Sequence, residues 1–406
     1  MNSPVLDSPA PTPPPHSSNP SRRSSPVRLF TIDGSAALEK RLHDLCEQIR
    51  AALCGLLPPG KLEAILLGGG YGRGEGGVLS TPNGDQPYND LEFYIFLRGN
   101  RHLNELRYHR PLEVLGQILT PQAGVDVDFK IASFDEFKRS PVSMFSYDLV
   151  SGHHQLLGPA GLFDGCAQHR LAENIPLMEA SRLLMNRCSG LLFARERLER
   201  RNRFTAEDAD YVRRNIAKAA LAFGDAILTV RGQYHWSCRE RHHRLLELTP
   251  DPTLRCLDQV RRHHKVGVSF KLHPQRSNGV FSQLETHHAE VTALGLQLWL
   301  WLESLRLNTT FSSVKDYVDD PRDKCPGTYA TRNWLVNLKT LGPKTGLACF
   351  RHPRERVLHA LTLLLWEPDV MASHRWRKRL HAELCTYAPD FPGIICDYRT
   401  LWARVN

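Results

Sequence analysis

The stretch LLGGGYGRGEGG (Leu66–Gly77) places seven glycines in twelve positions, and NDLEFYIFL (Asn89–Leu97) begins a dozen residues later. Before the glycines runs a short apolar strand, EAILLGG (Glu63–Gly69), and between the two stretches lies a polar loop, STPNGDQPYN (Ser80–Asn89). In NDLEFYIFL, Leu91, Phe93, Ile95 and Leu97 share one strand face, while Asp90, Glu92 and Tyr94 share the other. The segment VDVDFKI (Val125–Ile131) alternates in the same way, with Val125, Val127, Phe129 and Ile131 apolar and Asp126, Asp128 and Lys130 polar. A glycine turn followed by two acid-bearing strands therefore decides the N-terminal half.

Residues two apart on a strand project the same way, so Asp90 and Glu92 can grip one hard cation between them. Glycine in the turn lets backbone N–H groups approach phosphate oxygens with no Cβ in the way. A third carboxylate on a neighbouring strand would complete a two-metal site for in-line phosphoryl or nucleotidyl transfer. Asp128 and Asp126 both stand on the polar face of the second strand, and spacing does not separate them. The turn has neither the G-K-[ST] ending of a nucleotide-triphosphatase loop nor the downstream ribose-binding acid of a dinucleotide site.

GGYGRGE (Gly69–Glu75) resembles the G-S-x-A-R-G-E turn of the DNA polymerase β type nucleotidyltransferase superfamily, in particular its bacterial adenylyltransferase members. Gly70 stands where serine is usual and Gly72 where alanine is usual; NDLEFYIFL resembles the family's D-x-D/E strand. The resemblance implies that Asp90 and Glu92 bind two Mg²⁺ ions. A third acid, Asp128 by the acid-apolar-basic-apolar pattern of DFKI with Asp126 as fallback, would bind one of them and help deprotonate an acceptor hydroxyl. It also implies that Gly69, Gly70, Tyr71 and Arg73 lie at the nucleotide. From the residues alone, Arg73 can equally pair with Glu75 or Asp90, and Glu75 supports the turn or a following helix. More faintly, YDLVSGHHQLLG (Tyr147–Gly158) is similar to the segment closing the family's α/β domain, and KAALAFGDAILTVRGQY (Lys218–Tyr234) to a helix of its helical companion domains. In such relatives a lysine on that helix approaches the triphosphate, which makes Lys218 a candidate. The departures are the missing serine, which leaves phosphate contact to backbone amides, and the longer run from Gly70 to Asp90, an inserted loop or hairpin.

Around this core, the first thirty residues hold eight prolines and seven serines and read as a disordered tail. Leu38, Leu42, Leu45, Ile49, Leu53 and Leu56 predict a helix ended by Pro58–Gly60. From about Ile175 the apolar period changes to nearly four: Leu184, Cys188, Leu191 and Leu198 predict one helix, and Val212, Ile216, Ala219, Phe223, Ile227 and Val230 another. On this helical wheel Lys218 lies off the apolar stripe, in line with Ala222 and Asp225, on what reads as a ligand face or a solvated one. The expected organisation is α+β: a tail over residues 1–30, a nucleotidyltransferase-like mixed sheet with flanking helices over 31–170, and an α-helical domain over 171–406, divisible near 250–275.

The net charge is +9, and Ser181–Arg262 carries 17 Lys and Arg against 10 Asp and Glu, so the basic excess lies on the helical half. Ten cysteines without C-x-x-C spacing indicate reduced thiols rather than a zinc ribbon or disulfide framework. The most apolar run, VTALGLQLWLWLESLRL (Val291–Leu307), is interrupted by Gln297 and Glu303 and is short for a bilayer, so no membrane partner and a cytoplasmic location are expected. Adjacent histidines at 153, 242, 263 and 287 diverge by about 100° on a helix and read as structural. Trp299, Trp301, Trp334 and Trp366 read as core, and RERLERRNR (Arg195–Arg203) as a solvated helix end. The expected activity is Mg²⁺-dependent transfer of a nucleoside monophosphate, AMP from ATP, to a hydroxyl on a small molecule or, next, a protein. The alternatives are RNA tailing, which the basic helical half favours, and a catalytically silent nucleotide-binding or toxin-neutralising module.

Overall fold

The computed structural model of the chain describes residues 29–276, 280–342, 350–367 and 369–405. The expected Pro/Ser-rich tail thus lies outside the described residues except for Leu29 and Phe30. Phe30 is not tail: it is buried in the sheet's core and its N–H donates to Glu39 at 2.8 Å. The fold is α+β, a small mixed sheet followed by helices.

Helix α1 (Ala36–Leu56) is capped by Ser35, whose side chain accepts from the N–H of Leu38, and buries every expected stripe residue except Leu56. Strand β1 (Leu62–Leu67) runs into a single helical turn, α2 (Gly69–Gly72). The polar loop expected next is a hairpin, β2 (Val78–Thr81) and β3 (Gly84–Pro87), turned at Gly84 with φ +99°. Strand β4 (Leu91–Leu97) follows; α3 (Arg101–Ala123) crosses over, and β5 (Val127–Ala132) returns parallel to β4, the connection that parallel neighbours require. Helices α4 (Phe134–Arg139) and α5 (Met144–Ser151) lead to β6 (His154–Leu157), so Tyr147–Gly158 does deliver a strand to the sheet. The order is β5-β4-β1-β6, with β1 antiparallel to both neighbours.

Both faces of the sheet are covered. Leu91, Phe93, Ile95 and Leu97 pack with the stripe of α1 and with Tyr108, Leu112 and Leu119 of α3. The opposite face is polar only at its start: Tyr94 and Phe96 are buried against Phe137, Leu149 and Phe163, so Tyr94, expected beside the acids on a polar face, belongs to a second core.

The helical half begins with α6 (Leu177–Leu198) and α7 (Ala206–Val230), the latter opened by a reciprocal cap between Thr205 and Asp208. Next come α8 (Cys238–Glu247), α9 (Leu257–Leu272), α10 (Phe281–Arg306) and α11 (Val314–Asp319). The chain closes with α12 (Ala330–Leu341), α13 (Pro353–Trp366), α14 (His374–Leu384) and α15 (Phe391–Val405). One apolar core runs from Ala180 to Leu401 and includes Leu254, Cys256 and Leu257, so it is not divided near 250–275. Trp299 and Trp301 are buried in it, whereas Trp334, expected in the core, is 41% exposed on α12. The arginines ending α6 are engaged locally, Arg195 with Glu199, Arg200 with Glu196 and Arg197 with Asp208. The histidine pairs are split between roles: His264 and His288 are buried and bond Asp225 and the Leu191 carbonyl, while His263 stacks on His287 across to α10. No helix among the described residues is long and apolar enough to cross a membrane.

Candidate nucleotide cleft

The glycine bend is held against β4. Gly68 donates its N–H to the Glu92 carbonyl at 2.9 Å, and Gly69 adopts φ +61°, where a Cβ would sit 3.2 Å from Glu92 Oε2. At Gly72 a Cβ would lie 2.1 Å from the Leu67 carbonyl oxygen, so the turn closes only on glycine. We expect Gly72→Ala to lower stability by about 1–3 kcal/mol, read from the urea midpoint, since backbone must move to admit the methyl group. Gly60→Ala, where a Cβ meets nothing within 4 Å, is the neutral control.

Tyr71 and Arg73 do something other than the sequence suggested, and Glu75 supports a helix far along the chain. Tyr71, expected at the nucleotide, is buried; its hydroxyl donates to the Gly77 carbonyl at 2.8 Å and accepts from Tyr88 N–H at 2.9 Å, so its side chain braces the loop leading to Asp90. Arg73 pairs with neither Glu75 nor Asp90: its Nη1 donates to Asp148 Oδ2 of α5 at 2.9 Å, with Tyr234 bonded to the same oxygen at 3.3 Å. Glu75 reaches the helical half, accepting from Ser237 Oγ at 2.5 Å and from Cys238 N–H, in the first turn of α8, at 2.7 Å. Desolvation pushes Glu75 up, but these bonds outweigh it and hold its carboxyl below the ordinary glutamate value.

The acids meet in register. In the parallel pairing Glu92 stands opposite Asp128, and Leu91 N–H donates to the Asp126 carbonyl at 2.8 Å, which sets Asp126 beside Asp90. Asp90 is raised above the usual aspartate value by desolvation and by repulsion from Asp126, Asp128 and Glu92, with Lys218 opposing. Asp126, just before β5, raises Asp90 more than Asp128 of β5, the first choice from sequence, does. Glu92 is engaged: Lys130 Nζ donates to its Oε1 at 2.7 Å.

Across from Asp90, α6 and α7 bring up three cations that the acids do not neutralise pairwise. Lys218 is solvent-accessible yet crowded enough that desolvation, helped by Arg187 and Arg214, lowers its pKa to about 8, while Asp90 pulls it back up. Desolvation likewise lowers Arg187, with the charge of Asp225 and the Tyr234 hydroxyl opposing it. Asp225, in line with Lys218 on the helical wheel, is not on the ligand or solvated face: it is buried and paired with Arg241 at 2.7 Å. Arg187 and Arg214 were not singled out by sequence. The signal for Arg214 was its position four residues before Lys218 on the same helix face; Arg187, on a different helix, carried no local signal.

Carboxylate oxygens at neighbouring register positions are the donors that Mg²⁺ takes, and repulsion at Asp90 is what a cation would relieve. They are not arranged as a ligand set: Glu92 is held by Lys130, and among the described residues no three His, Cys, Asp or Glu side chains are grouped to hold one metal ion. No protein-family model, curated protein or solved structure matches the chain.

Proposed function

We propose that the chain is a nucleotidyltransferase of the DNA polymerase β type, which moves AMP from ATP to an acceptor hydroxyl and releases pyrophosphate. The observation that carries this reading is the opposition of two unlike charge clusters beside a glycine bend. Asp90, crowded by Asp126 and Asp128, faces Lys218, and Lys218 in turn is repelled by Arg187 and Arg214 beside it. Cations crowded enough to repel one another are what a triphosphate needs, and an acid raised by its neighbours' repulsion, as Asp90 is, is what a divalent cation needs. Asp90 and Glu92, with Asp126 or Asp128, would hold Mg²⁺, which when bound supplies neutralisation of the charge developing on the α-phosphate. Lys130 must release Glu92 for that arrangement. Lys218, Arg187 and Arg214 would bind and orient the β- and γ-phosphates, and a β5 carboxylate would accept the acceptor's proton. Gly69 and Gly70 would lie alongside the polyphosphate. A cytoplasmic setting, with its ATP supply, suits a chain whose nine described cysteines are all free thiols.

Calorimetric titration with ATP tests the reading. One molecule is expected to bind, and Lys218→Met or Arg187→Met to weaken it about tenfold or more, the worth of one charge-assisted contact. Because Lys218 titrates near 8, it is charged below that pH and neutral above it, so affinity should fall between pH 7 and 9 in the wild type. In Lys218→Met that fall should be absent. Undetectable ATP binding by the folded wild type would refute the assignment.

A further inference from the structure

Two residues past the acids, on the same face of the sheet, Tyr94 of β4 stands opposite Lys130 of β5. One such step is roughly 7 Å along a strand. These two side chains begin a cavity of about 720 Å³ that runs along the edge strand, between the start of α3 and the start of α5. Its wall is aromatic: Tyr94, Phe96, Phe129, Phe137 and Phe145 all line it. Phe145, the second residue of α5, is 49% exposed and meets the Tyr94 ring at 5.2 Å, so a bare ring stands in the wall with one face unused. The charged groups in the wall are the Arg101–Glu105 pair at 2.8 Å, the exposed Glu136, and Lys130, which donates to Glu92 at 2.7 Å in the ligand-free protein. Ser133, buried in the same wall, has a hydroxyl that bonds no described residue.

We infer that this cavity seats the acceptor, a small molecule with a planar aromatic ring that stacks on Phe145 and Tyr94 and a hydroxyl directed along the strands toward Glu92 and Asp128. The inference rests on the nucleotidyl-transfer reading and names the substrate class for it. The volume is that of a small-molecule site, and offset aromatic stacking gives the ring its orientation. In the transfer the acceptor oxygen forms a bond to the α-phosphorus as the bridging bond to the β-phosphate breaks. Pyrophosphate leaves with the electron pair, and the hydroxyl proton passes to a β5 carboxylate.

The full chain is titrated with 2-naphthol, followed by the probe's fluorescence, with cyclohexanol as the non-aromatic competitor and ATP binding measured in parallel. Saturable one-site binding is expected, at least tenfold weaker in Phe145→Ala, which removes the exposed ring, and in Ala132→Trp, which fills the cavity. Cyclohexanol should displace the probe at least tenfold less well than phenol, added as the aromatic competitor. ATP affinity should be the same in both variants as in the wild type. Absence of saturable probe binding, or equal binding by wild type and both variants, overturns the acceptor site while ATP binding leaves nucleotidyl transfer standing. Probe binding by a chain that binds no ATP overturns nucleotidyl transfer and the acceptor role together.

Discussion

Asp90→Asn is expected to abolish label transfer from α-labelled ATP, a loss of about a thousandfold or more, while the protein keeps its fold and an unfolding midpoint no lower than that of the wild type. The two halves of this expectation have one cause. Asp90 is raised by desolvation and by the charges of Asp126 and Asp128, so in the ligand-free protein its carboxylate is an electrostatic burden. Its native value lies above its unfolded one; the stability it lends is fully present below the unfolded value and is lost as pH rises through the native one. At neutral pH the amide therefore relieves repulsion and costs no stability. What it removes is one of the carboxylates proposed to hold Mg²⁺ at the α-phosphate, a contribution of several kcal/mol to the transition state. Urea midpoints at pH 7 and a transfer assay with labelled ATP, with and without cell extract as acceptor source, check both halves. Undiminished transfer by Asp90→Asn would remove that strand from the chemistry. No transfer by the wild type, with ATP bound, would favour the silent nucleotide-binding module.

The largest stability effect is expected at Arg241. Its guanidinium is buried and donates to Asp225 Oδ1 and the His235 carbonyl at 2.7 Å and to the Trp236 carbonyl at 3.1 Å, with the Tyr234 hydroxyl 3.3 Å away. Arg241→Met leaves buried Asp225 with the His264 hydrogen bond at 3.2 Å and the more distant charge of Lys271, and should cost about 3–5 kcal/mol, the range for a buried ion pair broken from one side. Asp225→Asn combined with Arg241→Met should cost less than Arg241→Met alone, since no unpaired charge remains, and the double-mutant cycle measures the difference. The pH dependence has a definite sign. Desolvation pushes Asp225 up, but Arg241 and His264 outweigh it and hold it below the ordinary aspartate value. Its contribution is present above the unfolded value and disappears as pH falls through the native one. The gap between wild type and Arg241→Met should therefore narrow in acid. A gap that stays constant down to pH 3 would mean that the pair is not what Arg241 stabilises.

What could be seen in the chain beforehand was whatever depends on neighbours in sequence. The stripe of α1, the stripes of α6 and α7, the glycine bend and the alternation of β5 are periodic or local features, and each is where it was expected. Helix α3 was not legible because its stripe is poor: Leu103, Leu106 and Ile118 are exposed and Pro111 and Pro121 lie inside it. The second face of β4 was misread beyond Glu92 because nothing local announces that α5 will cover Tyr94. Arg73 and Glu75 found partners 75 and 162 residues away, at Asp148 and Ser237, so no window around the motif contained the answer. The same holds for Arg187, whose place near Lys218 is set by the packing of α6 on α7. Spacing left Asp126 and Asp128 equivalent; the strand register sets Asp128 opposite Glu92 and Asp126 beside Asp90, so each acid has a partner across the two strands.

The reach of Glu75 into α8 has a practical corollary for anyone cutting the gene. A fragment stopped at residue 176 would carry every acid of the sheet yet strand a carboxylate tuned to a hydroxyl and an amide it no longer possesses, beside an Arg73–Asp148 pair stripped of Tyr234. The glycine bend would then be free to re-form around water, so the N-terminal half should not behave as a portable cassette, and grafts or truncations need to retain the chain through α8.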